Sequence, residues 1–326
     1  MDGIRSDLER HQVGIYLAAT SMASIAAFTL PDTTALEVAV NPALALMLFV
    51  TFLQVPLAEL GQAFVRVRFL LALLLANFVV VPVLVAGLIQ LVPDDPMIRL
   101  GVLLILLTPC IDYVVTFSHL GRADAQLLLA ATPMLLVAQM ALLPIYLTLF
   151  LGVDAAALVR VGPFLHAFAW LIAIPLLLAA AVQISRGRSP FAGRISAGLS
   201  LFPVPATALV LFVVIAAVMP RLGSAFADAL SVVPVYLASA VAAPFLGWGA
   251  GRLFRLDPLT GRALAFSAAT RNSLVVLPLA FAVPGAVPIL RAVIVTQTLI
   301  ELMNELVYVR LLPRLGAPRP SRLPTG

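Results

Sequence analysis

The sequence contains no lysine; all 20 of its basic residues are arginine. It contains one cysteine, Cys110, which excludes an internal disulfide. Three histidines and one cysteine offer no cluster for a metal, and no Ser/His/Asp arrangement or glycine-rich phosphate loop is present, so enzyme chemistry is not expected. Charge of either sign is also scarce. Asp, Glu and Arg together make up 11% of the residues, against roughly 25% in soluble domains. So few charges cannot build a water-facing surface, which excludes a soluble globular enzyme. A hydrophobic content of 62% likewise excludes a disordered chain. The N-terminal MDGIRSDLERHQ is polar and is followed by no small-residue cleavage site, so no signal peptide is expected.

What is there instead is long apolar sequence, with a mean hydropathy of +1.11. A spanning helix needs about 20 mostly apolar residues. Ten segments qualify: 13–30, 40–57, 69–91, 98–119, 124–151, 162–184, 197–219, 229–252, 260–283 and 287–312. They are flanked by a polar segment at 1–12 and a tail at 313–326. Placing both termini in the cytoplasm puts 15 of the 20 arginines on the cytoplasmic side. Arg99, Arg160, Arg221 and Arg291 then fall outside, and Arg271 falls within a span. Basic residues accumulate in cytoplasmic loops, so a multi-pass plasma-membrane protein with both termini inside is expected. The net charge of +5 reflects that topology and not a nucleic-acid partner.

The chain also resembles itself. NPALALMLFVTFLQV (41–55) and VPATALVLFVVIAAV (204–218) share eight of fifteen positions at an offset of 163. Pro82 and Gly87 match Pro244 and Gly249 at an offset of 162. Two halves of five spans, about 13–151 and 162–312, follow. An odd number of spans inverts one half relative to the other, a frequent architecture of secondary transporters. In such folds the site lies near the midplane, where helices are broken. Span four breaks at Thr108-Pro109-Cys110, followed by Asp112. Span nine carries Thr270-Arg271-Asn272-Ser273 in an otherwise apolar stretch. An offset of 163 sets Thr108 on Arg271, Pro109 on Asn272 and Cys110 on Ser273, so the two breaks are expected to face each other.

Charges inside a membrane usually face a cavity and find a partner. Asp112 and Arg271 form one such pair, either lining a solute path or bracing two helices. On span ten, Gln297, Glu301, Asn304, Glu305 and Tyr308 share one helical face. Two carboxylates one turn apart can load and release protons; Glu301 is the deeper, while Glu305 could pair with a loop arginine. Gln54, Asn77, Thr132, Gln139 and His119 are read as helix–helix hydrogen-bonding or interfacial groups. Cys110 supplies a soft sulfur that selects thiophilic species over hard ions.

At these residues a resemblance emerges. LLTPCIDYVVTFSHLGRADAQL resembles the fourth span of the arsenite permeases of arsenical resistance, NPALALMLFVTFLQVPL their second, and the IEL at 300–302 the glutamate of their tenth. Those permeases belong to the bile acid/sodium symporter superfamily. The resemblance implies an all-α fold of ten spans in two inverted halves, with broken, crossed helices four and nine. It implies export of arsenite and antimonite in exchange for protons, with Cys110 as the essential thiol and Glu301 as the tenth-span glutamate. One departure stands out. The family's Asn-Phe-Phe-Glu pattern is replaced here by Arg271-Asn272-Ser273-Leu274-Val275, and Arg271 takes the place of a Gln found in the sodium-coupled branch. A fixed positive charge there should repel sodium, so proton coupling is expected, with Glu301, Asp112 or Glu305 titrating. Cys110, Thr108, Asp112, Arg271, Asn272 and Ser273 are the expected solute contacts. No cofactor is expected beyond the proton gradient. The partners are a small inorganic oxyanion or trihydroxide and the lipid bilayer. Transport of a small organic anion, with Arg271 binding its carboxylate, is the alternative; a membrane sensor without transport is a third reading.

Overall fold

The structure is a computed structural model describing residues 2–54, 66–111, 113–156, 169–186, 198–199, 201–220, 225–273, 276 and 289–316. Regular structure among them is helical, and the only β-type pairing is an isolated bridge. The helices are α1 (Asp2–Thr29), α2 (Glu37–Phe52), α3 (Val67–Leu91), α4 (Pro96–Leu106), α5 (Tyr113–Leu120), α6 (Ala125–Ala156), α7 (Ile174–Arg186), α8 (Pro203–Val218), α9 (Phe226–Leu253), α10 (Pro258–Ala269) and α11 (Ile289–Leu311). Six are long and apolar enough to cross a membrane: those over Arg10–Thr29, Thr33–Phe52, Val67–Leu91, Ala125–Gly152, Ala227–Leu253 and Ile289–Arg314. The chain is therefore a multi-pass membrane protein. The segment expected as one span at 98–119 is divided into α4 and α5. In the segment expected at 260–283, α10 ends at Ala269, and residues 274, 275 and 277–283 lie outside the described set.

The divided helices begin alike. Asp95 caps α4 by accepting from the backbone of Met97 at 2.8 Å and Ile98 at 3.0 Å, with Pro96 at the first helical position. Asp257 caps α10 by accepting from Leu259 at 3.0 Å and Thr260 at 3.1 Å, with Pro258 in the same role. An Asp cap satisfies donors that the first turn would otherwise leave open, and proline already has the required φ. Partial burial pushes the Asp257 carboxyl up. The Thr260 hydroxyl and the two backbone donors outweigh that, so it sits below the usual carboxylate range.

The helices pack as two groups. α1, α2, α7 and α8 form one group, and α3, α4, α5, α6, α9, α10 and α11 form the second. At one end the groups are tied by Arg291 of α11, whose two terminal nitrogens grip the Glu37 carboxylate at the start of α2, Nη1 at 2.7 Å. At the other end a cavity of about 510 Å³ opens between them.

Within the second group, α9 and α10 approach closely because glycine removes the intervening side chains. A Cβ at Gly247 would lie 2.6 Å from the Leu264 carbonyl oxygen and 2.7 Å from the Ala268 Cβ, and one at Gly251 would lie 3.1 Å from the Gly261 Cα. The Gly-x-x-x-Gly spacing is the membrane solution for close helix contact. Gly247→Ala should cost about 1–3 kcal/mol, as overpacking does, and lower the melting temperature in detergent. Gly249→Ala, whose Cβ meets nothing within 4 Å, should not.

Candidate functional site at the helix crossing

The two breaks meet. Pro109 pairs with Arg271 in an antiparallel bridge. The Cys110 N–H donates to the Thr270 carbonyl at 3.1 Å, and the Asn272 N–H donates to the Thr108 carbonyl at 2.9 Å. Each unwound segment thus satisfies backbone groups of the other where no lipid can. The Thr108 hydroxyl returns to the Leu104 carbonyl, and the Thr270 hydroxyl returns to the Phe266 carbonyl, each at 2.8 Å.

These bonds correct the register read from the sequence. Thr108 and Thr270, Leu104 and Phe266, and Pro109 and Arg271 all lie 162 positions apart, so Pro109 corresponds to Arg271 and not to Asn272. Away from the crossing, the Tyr146 hydroxyl donates to the Phe78 carbonyl and the Tyr308 hydroxyl to the Ala240 carbonyl, at the same spacing. The offset of 163 holds between 41–55 and 204–218 only, and one residue is absorbed before the third span. The matches of Pro82 with Pro244 and Gly87 with Gly249 already carry the spacing of 162, and the repeated Asp-Pro at 95–96 and 257–258 carries it as well.

Arg271 is 2% exposed. Its Nη2 donates to the Ser267 and Ala268 carbonyls at 2.6 Å each and to the Asn77 Oδ1 at 2.9 Å; its Nη1 reaches the Leu106 carbonyl at 3.4 Å. The guanidinium therefore closes the C-terminal ends of α4 and α10, where unpaired carbonyls concentrate negative charge. Asn77 is itself held, donating to the Leu73 carbonyl at 3.1 Å and the Ser267 hydroxyl at 2.9 Å. Both terminal nitrogens of Arg271 are thus spent on neutral oxygens. Asp112, its expected partner, lies outside the described residues.

Glu301 of α11 is 3% exposed and reaches the crossing through the backbone of Arg271, whose N–H donates to Oε2 at 2.7 Å. Gln297 donates to the same oxygen, and the Tyr113 hydroxyl donates to Oε1. Glu305, fully enclosed, accepts from the Thr270 hydroxyl on the same unwound segment as Arg271 and not from a loop arginine. A recess of about 10 Å³ beside Glu301, Arg271, Gln297 and Asn304 is close to the smallest volume that holds a water. Ser273 accepts from Thr298 at 3.0 Å. Cys110 is 0% exposed and sits in the apolar core, and Thr108, Asn272 and Ser273 are also enclosed.

The large cavity stops short of this crossing. It is lined by Arg10, Gln12 and Tyr16 of α1, Thr51 and Gln54 at the end of α2, Tyr113, Thr116 and His119 of α5, Gln126 of α6 and Thr207 of α8. Among the described residues of the crossing, only Tyr113 both lines the cavity and bonds the Glu301 carboxylate. Sequence reasoning did not select Tyr113, because one tyrosine at the start of an apolar helix resembles core.

A helical membrane protein with two broken segments crossing beside a polar cavity has the build of a solute transporter. Residues 41–225, more than half of the chain, match the family described as Sodium Bile acid symporter family, and the chain belongs to it. Its members are transporters and not enzymes. Comparison with curated proteins finds no match.

The oxygens around Arg271 are hard ligands of the kind that hold small cations. Arg271→Gln should leave buried acceptors unpaired, at about 1–3 kcal/mol each. The melting temperature of that variant should then be higher in sodium chloride than in choline chloride at equal ionic strength, with no such difference in the parent. Equal midpoints in the two salts would show that no cation replaces the guanidinium.

Proposed function

We propose that this chain is a proton-coupled secondary transporter of a small solute, with Glu301 as the proton carrier. The observation that carries this reading is the enclosed Glu301 carboxylate at the crossing. It is hydrogen-bonded to both the backbone of Arg271 and the cavity-lining Tyr113, while the neighbouring guanidinium is spent on carbonyls. A carboxylate without a dedicated cationic side chain can change protonation without dismantling an ion pair. The guanidinium in its oxygen cage supports protons as the coupling ion. The bonds repeated at a spacing of 162 support an architecture of ten spans in two inverted halves. With both termini cytoplasmic, as the arginine distribution supports, the cavity faces the cytoplasm.

The solute we assign is arsenite, exported in exchange for protons; the proton gradient is the sole energy source. Support comes from Thr108-Pro109-Cys110 at the break and the resemblance this run carries. A single thiolate would give a reversible contact, and Thr108, Asn272 and Ser273 surround it with hydroxyl and amide groups. Because Cys110 is enclosed, the solute would reach it as the crossing opens toward the cavity. A second reading, transport of an organic anion, is favoured by the cavity, whose size exceeds that of arsenite and whose wall includes Arg10 and His119. Arg10, and not the enclosed Arg271, would then meet the carboxylate.

In liposomes holding the full chain, arsenite flux should follow an imposed proton gradient. Cys110→Ser should abolish that flux; full flux in this variant would overturn the thiol role. Glu301→Gln should lose the response to the proton gradient while retaining solute exchange at equal pH. A preserved proton response would overturn Glu301 as carrier. Saturable flux of a carboxylate in place of arsenite would select the second reading.

A further inference from the structure

We propose that Tyr113 is the proton-transfer residue between the cavity and Glu301, an inference that rests on Glu301 being the proton carrier. Glu301 is enclosed and absent from the cavity wall, whereas Tyr113 lies in that wall and donates its hydroxyl to Oε1. α5 begins at Tyr113, immediately after the break, so the crossing itself sets the ring's position. The ring is fixed further by an edge-on contact with Phe117, at 6.1 Å between centroids and 88° between planes. The other Glu301 oxygen is occupied by the Arg271 backbone and Gln297, neither of which can relay a proton from the cavity.

The step balances without a further reactant. Hydronium in the cavity gives a proton to the phenolic oxygen as the hydroxyl passes its own proton to Oε1. Water, the intact phenol and a neutral carboxylic acid result. The reverse sequence releases the proton to the same cavity. Among the described residues, the other titratable or charged groups around Glu301 are Arg271 from the second break, with Cys110 of the first break beside it, Tyr236 from α9, and Glu305 and Tyr308 from α11. None of these lines the cavity. Besides Tyr113, the charged or titratable side chains along the wall among the described residues are Arg10, Tyr16 and His119.

The test needs no knowledge of the solute. Full-length protein in nanodiscs is subjected to a pH jump, and the carboxylic C=O band of protonated Glu301 is followed by time-resolved infrared spectroscopy. Glu301→Gln, which lacks the band, identifies it. Tyr113→Phe keeps the ring and its contact with Phe117, so the melting temperature should hold. The rise of the Glu301 band should slow by about 10²-fold, the scale on which a positioned proton-transfer group acts. An unchanged rate in Tyr113→Phe would overturn the relay while leaving Glu301 as carrier. A band that does not respond to pH in the parent protein would overturn both the relay and the proposed function.

Discussion

Everything at the centre of this molecule follows from one constraint: backbone polar groups in a bilayer must find partners within the protein. Pro109 has no N–H and opposes a continued helix, so span four opens and exposes carbonyls that lipid cannot satisfy. The remedy is a second opening at Thr270–Asn272. The two extended segments exchange N–H···O bonds across the Pro109–Arg271 bridge. Neither break would be tolerable alone. Together they create unwound backbone, helix ends and polar side chains deep in an apolar core, which a continuous helix cannot offer.

The remaining carbonyls at the helix ends draw in the one charge that can serve several of them. Arg271 reaches the last turn of α10, the end of α4 and the Asn77 amide together. A planar guanidinium with five donors suits this task better than a compact ammonium. Because its side chain serves oxygens of the scaffold, the adjacent Glu301 is bound by dipoles instead. The spacing of 162 that recurs among the hydrogen bonds makes this difference visible. Gln139 on α6 stands 162 positions before Glu301, in the corresponding place. Where Arg271 offers Glu301 a backbone N–H, Pro109 has none to give. Neither amide atom of Gln139 has a hydrogen-bond partner among the described residues. α6 carries an amide at the position where α11 carries an acid.

Much of the site was legible because it consists of polar residues in apolar sequence. Thr108, Cys110, Arg271, Asn272, Ser273, Glu301 and Glu305 stood out on that ground alone, and all of them lie at or against the crossing. Their roles were less legible. Arg271 was expected to face a carboxylate or a solute, and its cage of main-chain oxygens has no residue signature. Tyr113 was invisible for a related reason: its hydroxyl matters only because α11 brings Glu301 to it from 188 positions away. The register slipped by one because the strongest repeat, in spans two and seven, precedes the position where the halves differ in length.

By itself, the sequence determined that the chain crosses a membrane repeatedly, since 62% hydrophobic and 11% charged residues admit no other surface. It also determined where the helices break, because proline and clustered polar residues act locally. Only the tertiary structure decided which break pairs with which residue, whether a buried charge meets another charge or a helix end, and which side chain separates the cavity from the carboxylate. Those outcomes depend on distances between segments far apart in the chain, set by helix packing. Nothing in local composition records them.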